Sequence, residues 1–389
     1  MGTDADIEEK IVVDPGAGNN LHNGSEQTSD LSDSSSRGKT EEEPTFDTGL
    51  TTWLQVLGSF FLFFNSWGVI NTWGAFQTYY EQSFLSDMSS DSIAWIGSLQ
   101  SFLLMLFGVV TGPLFDAGYF RGLKRGLANG LAASGSSIGG VIYPIMFNKL
   151  QERVGFEWAT RAIGFLCFGT CCISCCLMRM RFQPKEKRKL FQLSAYKEPQ
   201  FVMFSLAMFM GFLGFYNFLF YVQSYAIETG IVDSNLGFYL LAMLNAGSTF
   251  GRVLPNFVAD HAGPLNVLTP AATATAILAF AWIGVHNVPG IIVLAILYGL
   301  TSGGFVSLPP VVMASMTKDI RNLGTRLGMV FSTTSFGLLI GTPIGGAILD
   351  STHKYLGVQL FTACCLITAS SIFAALRLSR TGFHLAVKA

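Results

Sequence analysis

Few residues in this chain could do chemistry, and one stands apart. Arg252 lies in the stretch Gly251-Arg252-Val253-Leu254-Pro255-Asn256-Phe257-Val258-Ala259-Asp260, closed by His261-Ala262-Gly263, behind the apolar run 236–250. It sits eight residues inside a helix end marked by Asp260, roughly 12 Å deep at a rise of about 1.5 Å per residue. At that depth in hydrocarbon an arginine costs at least ~2.5 kcal/mol unless it faces protein, water or an anion. Its planar fork meets two oxygens at once, so the chemistry on offer is capture of a small organic anion. The plainer reading is a structural arginine tied to backbone carbonyls or a neighbouring helix. Polar partners are available at helical spacing: Asn217, Tyr221, Ser224 and Tyr225 share one face, and Asn65 and Asn71 are candidates by the same logic. Interhelical hydrogen bonding is the alternative for all of them.

A second set could gate access. Gly112-Pro113-x-x-Asp116-Ala117-Gly118 and the Gly251 to Gly263 stretch each set an acid at a helix end. Asp116 and Asp260 could pair with Arg121, Arg125 or Arg326 in one conformation and release them in another. Gly112, Gly118, Gly251 and Gly263 permit close helix approach. Simple anchoring at the membrane surface is the competing role.

Other chemistries are poorly provided for. No nucleophile, histidine pair or metal-ligand cluster accompanies the polar residues, so an enzyme is not expected, nor a metal or cofactor. His261, His286 and His353 stand singly, and no Gly-rich phosphate loop of the G-x-x-x-x-G-K-S/T kind occurs. The seven cysteines fall in apolar helices as small hydrophobes. Cys175 and Cys176, just before Arg179, also suit reversible palmitoylation. Nothing resembles a nucleic-acid module.

The elements that must position these residues are membrane helices. Half of the 389 residues are hydrophobic, 13% are charged, mean hydropathy is +0.45 and there are 34 phenylalanines, a polytopic membrane composition. Residues 1–47 hold twelve acidic and three basic side chains, so the body is basic and its tail acidic. That tail is too polar to fold and lacks the apolar core of a signal peptide. Apolar runs long enough to span lie near 50–80, 93–115, 126–147, 158–178, 200–226, 235–259, 266–285, 289–312, 323–349 and 355–376. Runs of that length can only be helices, so the fold class is all-α, a bundle of about ten transmembrane helices. Arg252 is the one charge deep in any of these runs. Gly341-x-Pro343 and Pro309-Pro310 should bend their helices.

Basic residues set the expected orientation. Segment 179–197 holds Arg179, Arg181, Lys185, Lys187, Arg188, Lys189 and Lys197, and the link 116–125 holds Arg121, Lys124 and Arg125. Loops 81–92 and 227–234 carry only acids, so both termini are expected in the cytoplasm. The organisation is then a tail (1–47), a first half (48–178), a basic cytoplasmic loop (179–199), a second half (200–377) and a short tail (378–389). Lacking an organelle signal, the plasma membrane is the expected location.

The halves repeat each other weakly. Beside the two acidic motifs, Gly130, Ser134, Ser137, Gly139 and Pro144 match Gly328, Ser332, Ser335, Gly337 and Pro343, a pattern of parallel repeats found in transporters. The spacing is unequal: 72 residues separate Asp260 from Ser332, but 18 separate Asp116 from Ser134. The shortfall is about two spans with their loops. The first half should therefore hold four helices and the second six, with a junction near 121–123 where helices three and four of a twelve-helix plan are absent.

Several motifs carry a resemblance over roughly 45–380. They are Thr52-Trp53-Leu54-Gln55-Val56-Leu57-Gly58-Ser59-Phe60, Asn71-Thr72-Trp73-Gly74, Gln77-Thr78-Tyr79-Tyr80-Glu81, Gly112 to Phe120, Arg125 to Pro144 and the Arg252 stretch. With these the chain resembles the fungal branch of the monocarboxylate porter family within the major facilitator superfamily. The resemblance implies proton-linked or facilitated movement of small organic acids, or efflux of acidic secondary metabolites, by rocking of two halves in a lipid membrane. The chain departs from animal members, which have a lysine in the first helix and an aspartate one turn before the arginine; here Ser248 takes the second place. A non-transporting transceptor, a regulatory protein or an inactive truncated product is the alternative that the four-plus-six plan favours.

Overall fold

The structure, a computed structural model, describes residues 50–115, 125–178, 192–317, 319 and 322–382. The expected tail 1–47, most of the basic loop and residues 383–389 lie outside these. The helices run α1 Leu50–Asn71, α2 Trp73–Tyr79, α3 Ser90–Phe115, α4 Arg125–Leu177, α5 Pro199–Glu228, α6 Ser234–Ala262, α7 Pro264–Ala281, α8 Val288–Ser307, α9 Pro309–Met316, α10 Leu323–Thr352 and α11 Tyr355–Thr381. The described residues hold no strand, so the all-α expectation stands.

Eight stretches are long and apolar enough to cross a membrane, and two details bring the described total to the ten expected. α4 is far longer than one span needs, and it breaks at Gly155, whose φ of 80° is open to glycine without strain. The chain turns back there. Tyr143 of the first arm (125–154) and Thr170 of the second (156–177) both donate to Asn65 Oδ1, at 2.8 and 2.9 Å. α6 is too polar to count among the eight, because it carries Arg252, Asn256 and Asp260. The first span runs further than the apolar pattern suggests: α1, α2 and a π-helical turn, Tyr80–Phe84, bring Glu81 into the helix rather than the loop. Pro309 starts a new helix one residue after α8 ends, since proline lacks the N–H that would continue the ladder.

α1 packs on both arms of α4 in the first half, and α5 packs on α11 in the second; α3 meets α10 and α4 meets α6 where the halves join. The repeat is visible in the backbone. Gly155 and His353, the only non-glycine residue at positive φ (51°) among those described, are separated by the same interval as Gly130 and Gly328. Each turns the chain between the last two helices of its half.

One asymmetry follows. In the second half α6 lies against α8 so closely that a Cβ on Gly247 or Gly251 would strike the carbonyls of Ile296 and Leu300. Leu103, at the place of Gly247 in the repeat, is exposed, as is Ile96, where the counterpart Leu240 is fully buried. The first half thus leaves open a face that α7 and α8 cover in the second.

Gly251→Leu should overpack the α6–α8 seam at a cost of about 1–3 kcal/mol or more. A fall of several degrees in Tm of the detergent-purified protein checks this, with Gly284→Ala, where open space surrounds the glycine, leaving Tm unchanged.

Candidate functional site

Arg252 reaches the seam between the halves because α6 is held at both ends. Asp233 caps its start, accepting from the Leu236 N–H at 3.1 Å, and Gly263, at φ 95°, ends it ahead of Pro264. Arg252 is 4% exposed. Its Nε donates to Ser248 Oγ at 3.2 Å and one terminal nitrogen donates to the Ala133 carbonyl of α4 at 3.4 Å. Ser248 in turn accepts from Ser137 Oγ at 3.1 Å. No carboxylate pairs with Arg252 among the described residues; the ion pairs there are Lys149–Glu152, Arg161–Glu157 and Arg326–Glu198.

Beside it runs a neutral network. Asn256, one turn on, donates to the Arg252 carbonyl at 2.7 Å and to Ser307 Oγ at 2.6 Å, while Asn129 of α4 donates to the Ser307 carbonyl at 2.6 Å and to Asn256 Oδ1 at 3.3 Å. Arg252, Asn129 and Ser307 open onto a cavity of about 190 Å3. The rest of its wall is apolar, chiefly Phe63, Trp67, Met105, Met208, Phe212 and Phe331. The cavity therefore offers an apolar chamber with one desolvated cation at one side, beside Asn129 and Ser307, which are engaged in the neutral network.

The expected binding residues divide sharply. Only Arg252 lines the cavity. Asn65 is internal to the first half, bonded to Tyr143, Thr170 and Cys171. Asn71 is buried between Ser136 and the Tyr216 hydroxyl. Asn217 and Tyr221 lie against Gly345 of α10, with the Tyr221 hydroxyl donating to the Thr342 carbonyl at 3.2 Å. Asn129, Asn256 and Ser307 were not singled out by the sequence; the interval of four between Arg252 and Asn256 was the available signal.

The gating set also rearranges. Asp260 accepts from the backbone N–H groups of Gly126 and Leu127, at 2.9 and 3.1 Å, and so caps α4. Arg326 makes a two-pronged pair with Glu198, at 3.0 and 2.5 Å, with Gln192 as a further acceptor. Asp116, Gly118 and Arg121 lie outside the described residues. Gly112 falls within α3 and Arg125 opens α4, but neither site's surroundings are among those described. At the opposite end of the bundle Asp350 of α10 accepts from the N–H groups of Ser90 and Asp91, at 3.3 and 3.1 Å. Ser224 of α5 donates there to Glu81 at 2.9 Å, and Ser98 shares a hydrogen bond with Thr342. No group of three or more metal-ligating side chains occurs among the described residues.

Two helical halves that meet around a chamber, joined by hydrogen bonds at both ends, have the architecture of a membrane transporter. Comparison with known proteins narrows this. Residues 117–288 match the Major Facilitator Superfamily family. The MFS-type transporter dbaD of Emericella nidulans is 37% identical, covering 78% of this chain and 81% of its own. The aspyridones efflux protein apdF of the same organism is 34% identical, covering 84% and 78%. The fold is shared with the fucose:proton symporter FucP of E. coli, with a TM-score of 0.55 at 14% identity over 84% of this chain and 97% of that one. The chain belongs to the major facilitator superfamily.

Asp260→Ala should free two N–H groups at the start of α4 and cost about 0.5–2 kcal/mol, with Asp260→Asn costing less because one acceptor oxygen remains. Thermal unfolding of the purified protein, read as the order of the three Tm values, checks this.

Proposed function

We propose that this transporter exports acidic secondary metabolites, with the solute's apolar, ring-bearing body against Phe63, Trp67, Phe212 and Phe331 and its anionic group on Arg252. The observation that carries the reading is the buried guanidinium facing an apolar chamber with no carboxylate paired to it among the described residues. A desolvated cation is attractive to an anion in proportion to the water it has lost, and an aromatic wall suits a ring system better than a short aliphatic acid. The relatives named for efflux support export, and the motifs shared with the monocarboxylate porter-like branch support an acidic solute. At about 190 Å3 the chamber is smaller than the ~300–1,000 Å3 of sites for drug-sized ligands. A larger metabolite must enter a more open state.

We place the termini in the cytoplasm and the protein in the plasma membrane, on the distribution of basic residues between loops. The gating role of Asp260 becomes closure by helix capping, with Asp116, Gly118, Arg121 and Arg125 as its counterparts in the first half, and Arg326 acts through Glu198.

A second reading has its own support. The alignment to dbaD runs over 358 positions but draws on 78% of 389 residues, about 303, leaving about 55 unmatched positions, enough for two spans of about 20 residues with their loops. The exposed Ile96 and Leu103 lie where such helices would pack. On this reading the chain is a product lacking helices three and four that does not transport.

The test is release of a preloaded, labelled aromatic carboxylate from cells expressing this chain, Arg252→Ala, or a version with two restored spans, at matched surface amounts. Export by the chain that falls at least about tenfold in Arg252→Ala, the loss of a charge-assisted contact worth ~1.5–3 kcal/mol, is expected. Equal export by Arg252→Ala would remove the arginine from the site. Export by the restored version alone would establish the truncated reading.

A further inference from the structure

The second arm of α4 carries an exposed stripe with an unusual end. Phe165 and Phe168 are 70% and 71% exposed, and Gly164 and Gly169 beside them have open space where a Cβ would stand. The stripe continues into Cys172, Cys175 and Cys176, all exposed, and the helix stops at Leu177. By the interval that relates Gly155 to His353, the counterparts of Phe165, Phe168, Cys172 and Cys175 are Ala363, Leu366, Ser370 and Phe373, and every one of these is buried. Ser370 hydrogen-bonds Thr273 of α7, and Phe373 meets Phe305 of α8. The first half therefore presents to lipid a grooved apolar face that its repeat covers with protein, and ends that face in three accessible thiols.

We propose that Cys172, Cys175 and Cys176 are sites of S-acylation, and that the attached fatty chains lie along this uncovered face. The thiols sit in the last turn and a half of the helix, and Arg179 and Arg181 follow at once. Basic residues at that place put the thiols at the cytoplasmic surface, where fatty acyl-CoA is available; this step rests on the orientation given above. In the reaction the cysteine sulfur attacks the thioester carbonyl of the acyl-CoA, forming a new S–C bond. The bond to the CoA sulfur breaks, and CoA leaves as the thiol with the proton that the cysteine gave up. Cys172 is fourteen residues from Trp158, the exposed aromatic at the far end of the stripe. That is roughly 21 Å along the helix, comparable to an extended palmitoyl chain. The glycines at 164 and 169 leave a trough in which such a chain fits, where larger side chains would hold it off. Cys167 and Cys171 differ: the first is bonded to Tyr143 and the second to Asn65, so both face inward.

The experiment uses membranes from fungal cells expressing the full chain. Free thiols are blocked with maleimide, thioesters are cut with neutral hydroxylamine, and the released thiols take a mass-tagged maleimide. A hydroxylamine-dependent ladder of up to three added tags is expected, lost in Cys172→Ser/Cys175→Ser/Cys176→Ser and retained in Cys364→Ser/Cys365→Ser. An untagged wild-type chain, or a ladder that survives the triple substitution, overturns the proposal. Growth with an alkynyl fatty acid gives a second readout on the unaltered protein, and absence of label there overturns it equally. Modification of Cys176 in intact cells by a maleimide that cannot cross the membrane would place the thiols on the wrong side and also end the proposal.

Discussion

A positive charge held out of water with no negative charge paired to it among the described residues is the constraint on which the centre of this protein depends. Neutral groups do what they can for Arg252: a hydroxyl, a carbonyl from the facing helix, and an amide network that ties its own backbone to α4 and α8. None of them cancels the charge. Such a site is costly to maintain in the resting protein; on the function proposed above, that cost becomes selectivity, because an incoming anion recovers what solvation has lost. It also explains why α6 falls short of the apolarity of the eight long apolar stretches and why that helix must be fixed so firmly at each end.

Firm placement in lipid cannot come from hiding apolar surface, since the surroundings are as apolar as the helices. It comes from contact at short range. The seams are accordingly lined with residues that let backbones touch: Gly130 against the Arg252 carbonyl, Gly135 and Gly139 against α1, Gly299 and Gly303 against α6, Gly337 and Gly341 against α5. These contacts set the distance across which Arg252 reaches Ala133. The aromatic side chains fill what the glycines leave, as where Phe215, Phe218 and Tyr298 stack inside the second half.

Sequence periodicity and length carried most of the fold. Ten runs of apolar residues became ten membrane-crossing helices among the described residues, because runs of about 20 residues satisfy their backbone in hydrocarbon only as helices. What they could not locate was the hairpin turn at Gly155 as the sole break in a long helix, or the extension of the first span past Glu81, since both sit among polar residues that read as loop. The candidate cavity was legible only at Arg252, where a charge contradicts its surroundings. Asn217 and Tyr221 share a face, but which neighbour that face meets is decided by tertiary packing, and it meets α10. Ser307 enters the network from another helix, and no spacing within one helix could announce it.

The two aspartates that cap across the halves, Asp260 and Asp350, lie at opposite ends of the bundle, both from the second half and both on helix starts of the first. A latch of this kind needs no partner side chain and no complementary charge, only amide protons that every helix start already exposes. It also carries its own release. Parting the helices admits water to the gap, and water is the one molecule that can take over both the aspartate's acceptor role and the amides' donor role. On the gating proposed above, each mouth is held shut by dryness and opened by wetting, so that hydration at one end and drying at the other can trade places with little net loss of hydrogen bonds.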